Sequence, residues 1–94
     1  MAKLSETEIQ EKLPTLPGWK YEAGALVHEY TFADFAAAFA FVVRLALAAE
    51  KANHHPDIDI RYNKVRVSLV SHDSGGVTGR DVSMAGEIGK LHRE

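Results

Sequence analysis

The stretch Glu50–Asp81, EKANHHPDIDIRYNKVRVSLVSHDSGGVTGRD, decides how the chain is read. In its middle, Ile58, Ile60 and Tyr62 alternate with Asp57, Asp59 and Arg61. Val65, Val67 and Leu69 then alternate with Lys64, Arg66 and Ser68. Period-two alternation of this kind marks two strands, each with one buried and one solvated face. Tyr62-Asn63-Lys64 is the turn between them, with Asn63 suited to positive φ. An antiparallel hairpin returns the chain, so Ser71-His72 is expected at the same sheet end as Pro56-Asp57. His54 and His55 precede Pro56, and His72 opens the glycine-containing loop His72-Asp73-Ser74-Gly75-Gly76. The hairpin therefore predicts three imidazoles at one corner. Histidine is the side chain whose ordinary pKa, about 6.5, makes both protonation states available near neutral pH.

Upstream of the corner lies the longest expected helix, beginning at Thr31 or Ala33-Asp34 and running to about Asn53. Phe32, Phe35, Phe39, Val42, Ala46 and Ala49 recur in steps of three and four, which predicts a core-facing stripe. A second apolar stripe, Ala37, Phe41, Leu45, Ala48 and Ala52, lies on another side. We read that second stripe as a subunit interface; cover by a loop or by the last helix is the alternative. The helix must stop near His54, because the residue before Pro56 is pushed toward extended geometry. Such a break lets both rings approach one cavity, where neighbours in a continuous helix would diverge. A helix cap with a solvated histidine is the plainer reading of that pair taken alone.

Further upstream, Ser5-Glu6-Thr7-Glu8 has the form of a capping box opening a first helix, with Leu4, Ile9 and Leu13 on its apolar side. Pro14 and Pro17-Gly18 end it. Trp19 and Tyr21 share one side of a short strand, Ala23-Gly24 is a turn, and Leu26–Phe32 is the partner strand. His28 on that strand is an ordinary exposed or half-buried histidine. Downstream, Thr78-Gly79-Arg80-Asp81 caps the last helix, with Asp81 in the third helical position. Val82, Met84, Ala85, Ile88 and Leu91 give that helix its apolar side. The loop is not a phosphate loop, since the Gly-Lys-Ser/Thr pattern is missing.

Composition narrows the function classes. Ninety-four residues predict one domain, 1–94, with a modest core that oligomers commonly supplement. The formal net charge of −2 comes without any cluster of Lys or Arg, so nothing favours nucleic acid. There is no cysteine, which excludes disulfides and thiolate metal sites and fits a cytoplasmic protein. The N-terminal stretch lacks the apolar region of a signal peptide, and the apolar run near residue 40 is too short and too interrupted by Arg44 to span a bilayer. Three readings of the histidine corner remain: metal-free acid–base catalysis, a zinc site of His54, His55 and His72, or a non-catalytic binding or assembly module. Zinc needs converging ligands with supporting partners, and adjacent histidines without HxxxH or HExxH spacing suit it poorly. Acid–base chemistry leads.

The blocks Glu50-Lys51, Asn53-His54-His55-Pro56, Tyr62-Asn63-Lys64-Val65, and His72-Asp73, Gly76, Thr78, Arg80-Asp81 together resemble the pterin-4a-carbinolamine dehydratase family over nearly the whole chain. Ile58 stands where many members carry an aromatic. The resemblance implies an α+β two-layer sandwich of order α-β-β-α-β-β-α, a four-stranded antiparallel sheet packed by helices on one face. It implies removal of water from 4a-hydroxytetrahydrobiopterin or a similar pterin, giving the quinonoid dihydropterin within tetrahydrobiopterin recycling. No redox cofactor or metal is needed for it, because the oxidation state does not change. His54, His55, His72 and Asp81 become the expected catalytic residues. His54 and His72 would donate to the departing hydroxyl, His55 would anchor or accept, and Asp81 would orient a histidine or the loop. The expected pterin contacts are His54-His55-Pro56 and Ser71-His72-Asp73-Ser74. The resemblance also implies a homodimer or homotetramer. Some members serve as dimerisation cofactors of a homeodomain transcription factor, which is the binding-module alternative.

Overall fold

The computed structural model describes residues 2–93. Three helices, α1 (Glu6–Lys12), α2 (Phe35–Ala52) and α3 (Gly79–Arg93), alternate with strands β1 (Lys20–Glu22), β2 (Ala25–Thr31), β3 (Asp57–Arg61) and β4 (Lys64–Leu69). The element order is the expected α-β-β-α-β-β-α. The sheet runs β1-β2-β4-β3 with every neighbouring pair antiparallel, so each hairpin supplies one edge strand and one central strand. Leu26 pairs with Leu69, His28 with Val67 and Tyr30 with Val65. Period-two geometry puts these pairs on one face, and the helices cover it.

That face and the helices enclose the core. Leu26, Tyr30, Val65, Val67 and Leu69 meet Ile9, Ala38, Phe41, Leu45, Met84, Ala85 and Ile88. The opposite face carries Glu29, Arg66, Asp59 and Arg61, with Arg66 bonded to Glu22 across the sheet at 3.1 Å. The capping box at Ser5 and Glu8 forms as expected, and Asp34 caps α2 by accepting from the Ala37 amide at 2.8 Å. No helix among the described residues is long and apolar enough to cross a membrane.

Two expectations are corrected. The core face of α2 is Ala38, Phe41, Leu45 and Ala49, whereas Phe35, Phe39, Val43 and Leu47 are exposed. At about 100° per residue, the true core face is turned roughly a fifth of a turn from the expected stripe. A helix apolar on nearly all sides offers several stripes in steps of three and four. The alanines decide among them, since Ala38 and Ala49 let the backbone approach the sheet while Phe41 and Leu45 fill the space between. In the β3–β4 turn the positive φ, 52°, belongs to Tyr62 and not to Asn63. Asn63 is used otherwise: its amide side chain donates to the Phe32 carbonyl at 2.8 Å, and its own carbonyl accepts from the Phe32 amide at 2.8 Å. The hairpin tip is thereby tied to the end of β2.

Candidate active site

The corner is assembled by the end of α2, the loop after β4 and the start of α3. α2 stops at Asn53, whose left-handed backbone (φ 51°, ψ 41°) turns the chain out of the helix. The His54 amide then bonds back to the Ala49 carbonyl at 3.1 Å, and the Asn53 amide to that of Glu50 at 3.1 Å, the pairing that closes a helix C-terminus. Past this break His54 turns inward and is buried, while His55 faces outward and is exposed.

His54 Nε2 lies 2.5 Å from Oδ1 of Asp81, which is fully buried. The other Asp81 oxygen, Oδ2, accepts from the Ser71 hydroxyl at 2.8 Å and from the Thr78 amide at 2.8 Å. Ser71 Oγ and Thr78 Oγ1 are 2.8 Å apart, and Thr78 Oγ1 accepts from the Arg80 amide at 3.2 Å. A residue in the third helical position whose carboxylate binds the capping residue's amide is half of a capping box, so the expected capping role of Asp81 is present. Its second oxygen reaches 27 positions back along the chain to a histidine. A buried carboxylate with this many donors is stable where an unpaired one would not be.

The remaining site residues are placed as follows. His55 Nε2 is 2.6 Å from Glu50 Oε1, with both groups largely in solvent. His72 opens a 3-10 turn, His72–Ser74, and is exposed, as is Asp73. Asp73 accepts from the Arg80 guanidinium at 2.8 Å, which clasps the His72 turn to the start of α3. Pro56 and Ser74 are half-buried. Ser71 is buried, with its amide on the Gly76 carbonyl, its carbonyl taking the Ser74 and Gly76 amides, and its hydroxyl on Asp81. Each polar group of Ser71 has a partner within the protein. The structure thus joins His54, Ser71 and Asp81 in one buried network and leaves His55 and His72 at the surface of the same sheet end, Asp57 pairing with Ser68. Among the described residues, no three His, Asp or Glu side chains are grouped to hold a metal ion.

Glu50, Thr78 and Arg80 stand in the sequence blocks shared with the family but carried no expected site role. Thr78 and Arg80 belong to the expected cap of the last helix. Glu50 sits five residues before His55, a spacing that meets only because Asn53 breaks the helix between them. A cavity of about 600 Å³ borders this network, lined by Ala48, Lys51, His54, Arg80, Ser83 and Glu87 among others. His54 is the histidine that faces it.

The chain is thus a two-layer α+β fold with a buried histidine–aspartate pair and two accessible histidines at one sheet end. The chain belongs to the pterin 4 alpha carbinolamine dehydratase family, whose profile matches residues 2–91. It is 52% identical over 91 residues to a provisionally named pterin-4-alpha-carbinolamine dehydratase of Acidobacterium capsulatum, covering 97% of this chain and 99% of that one. A similarly named protein of Chloroflexus aurantiacus is 48% identical, covering 97% and 98%. Among solved structures, a transcriptional coactivator/pterin dehydratase from Brucella melitensis superposes with a TM-score of 0.90 at 38% identity, over 95% of this chain and 97% of that one. A pterin dehydratase-like protein identified as a RuBisCO assembly factor of the alpha-carboxysome shares the fold, with a TM-score of 0.63 at 22% identity over 78% and 84%.

Proposed function

We propose that this chain dehydrates a 4a-hydroxytetrahydropterin, such as 4a-hydroxytetrahydrobiopterin, to the quinonoid dihydropterin and water, in support of tetrahydrobiopterin recycling in the cytoplasm. The observation that carries the reading is the His54–Asp81 pair, buried at the corner that also bears the accessible His55 and His72. The chemistry asks for one proton donor and one acceptor. The C4a–O bond breaks with its electron pair on oxygen, and a histidine N–H supplies the proton that makes the hydroxyl a water. The N–H bond pair of the adjacent ring nitrogen becomes the new C=N bond, and its proton goes to a second histidine. Positioned acid–base groups of this kind contribute about 10²–10⁴-fold each. His72, exposed on its turn, is the donor in this scheme. Pro56, Asp73, Ser74 and His55 frame the pterin. The test is turnover of a synthetic 4a-hydroxytetrahydropterin by the purified protein with a metal chelator present. Undiminished turnover supports the reading; one zinc per chain, lost together with activity on chelation, overturns it.

The exposed stripe of α2 supports a second, compatible role. Phe35 and Phe39 stack on each other with centroids 5.9 Å apart, and Val43 and Leu47 continue the row. We propose that this stripe serves assembly into a homodimer or homotetramer. A non-catalytic role as a protein's dimerisation cofactor is the alternative on the same surface; the Brucella melitensis relative is named as a transcriptional coactivator as well as a pterin dehydratase.

A further inference from the structure

The hydrogen bonds around Asp81 have a direction. The carboxylate only accepts, and the single hydroxyl proton of Ser71 is committed to Oδ2 at 2.8 Å. In its 2.8 Å contact with Thr78 Oγ1, Ser71 Oγ must therefore accept and Thr78 must donate. Thr78 Oγ1 has a lone pair left for the Arg80 amide at 3.2 Å. The chain of donors thus runs one way, from the Arg80 amide through Thr78 and Ser71 to Asp81. It fills Oδ2, together with the Thr78 amide, and leaves Oδ1 facing His54 Nε2.

We propose that this one-way chain fixes His54 as the tautomer protonated on Nε2, so that its Nδ1 lone pair is the working nitrogen. Nδ1 has no protein partner among the described residues, and the ring borders the cavity between α2 and α3. His54 therefore meets the substrate through Nδ1 in either protonation state: bare, that nitrogen accepts a proton, and in the imidazolium it donates one. In both states Nε2 stays bonded to the Asp81 carboxylate. A neutral imidazole with its proton on Nδ1 would instead require Asp81 to carry a proton toward Nε2. Ser71 and Thr78 are positioning residues that act through Asp81 and touch no substrate. The part that Nδ1 plays in dehydration rests on the pterin reading above; the tautomer does not.

The two are separated by measuring the tautomer and the turnover independently. Two-bond ¹H–¹⁵N correlation spectra of the uniformly ¹⁵N-labelled wild-type protein read the ring directly. His54 is expected with a protonated Nε2 and a bare Nδ1; a wild-type His54 carrying its proton on Nδ1 overturns the proposal without any variant. Thr78→Val, which keeps shape and removes the hydroxyl, is expected to blur that preference and to lower kcat about 10–100-fold, the range typical for partners that orient a working imidazole. KM should stay within about twofold. Thr78→Ser should restore both, and Ser71→Thr should do the same where Ser71→Ala fails. A Thr78→Val protein with unchanged ring spectra and unchanged kcat contradicts the positioning role. Spectra as expected in a protein that turns over no 4a-hydroxytetrahydropterin would retain the tautomer and remove the role of Nδ1 in dehydration along with the pterin reading.

Discussion

His28 is held on three sides by aromatic and glycine neighbours. Tyr30 stacks on it with centroids 3.8 Å apart and planes 3° from parallel, and Trp19 stands edge-on at 5.4 Å. Gly18, at φ 85°, closes the third side, and a Cβ there would stand 2.3 Å from the imidazole Nε2. Burial pushes the His28 imidazole below its usual range, and the charge of His92 adds to this. Hydrogen bonds to the Glu29 and Pro17 carbonyls oppose the shift without cancelling it. The unfolded chain therefore binds this proton first as pH falls, so stability from this group rises with pH. It is complete above the unfolded value of about 6.5 and declines as pH drops through it. Urea midpoints taken between pH 5 and 8 should fall on the acid side, and His28→Gln should flatten that fall; an unchanged slope in the variant would assign the effect elsewhere. The strand position of His28 was legible from alternation, which left it exposed or half-buried; it is half-buried. Residue pattern did not show the His54–Asp81 contact, because no periodic rule links residues 27 apart and only the joint placement of the α2 end and the α3 start creates it; family resemblance offered Asp81 as orienting a histidine or the loop without saying which. The same holds for the Glu50–His55 pair, which depends on the left-handed turn at Asn53.

At the level of elements, α2 separates what pattern can and cannot decide. Its extent, its Asp34 start and its stop before Pro56 are all local signals, and they were readable. Which face meets the sheet is a tertiary question when most positions are apolar. Leu45 is fully buried, so it belongs to the core and not to an interface; Leu47, two residues on, is 68% exposed. Truncating a buried leucine costs about 2–5 kcal/mol, and a buried charge costs more, so Leu45→Asp is expected to abolish cooperative folding. Leu47→Asp should leave the stability of the single chain within about 0.5 kcal/mol. It should nevertheless lower the mass seen by light scattering at tens of micromolar, if Phe35, Phe39, Val43 and Leu47 form the assembly face. A wild-type protein already monomeric at that concentration would contradict the assembly proposal. The β3–β4 turn repeats the lesson on a smaller scale: its position was readable, but Asn63 is held by Phe32 of the β2 end, and the positive φ passes to Tyr62.

At the scale of the whole molecule, two hairpins joined through β2 and β4 give one sheet whose covered face carries the core. The alternation of Ile58–Leu69 made the second hairpin readable. It also made readable that Ser71-His72 returns to the sheet end of Pro56. The division of labour at that end came from depth, which alternation does not encode. His54, Ser71 and Asp81 lie inside, holding three elements together through one carboxylate, while His55 and His72 stay at the surface. Acid–base dehydration of a pterin carbinolamine is the activity proposed for this corner. It is tested most directly by the rate of 4a-hydroxytetrahydropterin turnover at saturating substrate in the wild type, His55→Ala and His72→Ala, each checked for unchanged circular dichroism. Both exposed side chains can be removed without disturbing the core, so a loss of rate in a folded variant reports chemistry. A fall of about 10²–10⁴-fold is expected in each variant; wild-type rates in both would contradict acid–base dehydration at this corner.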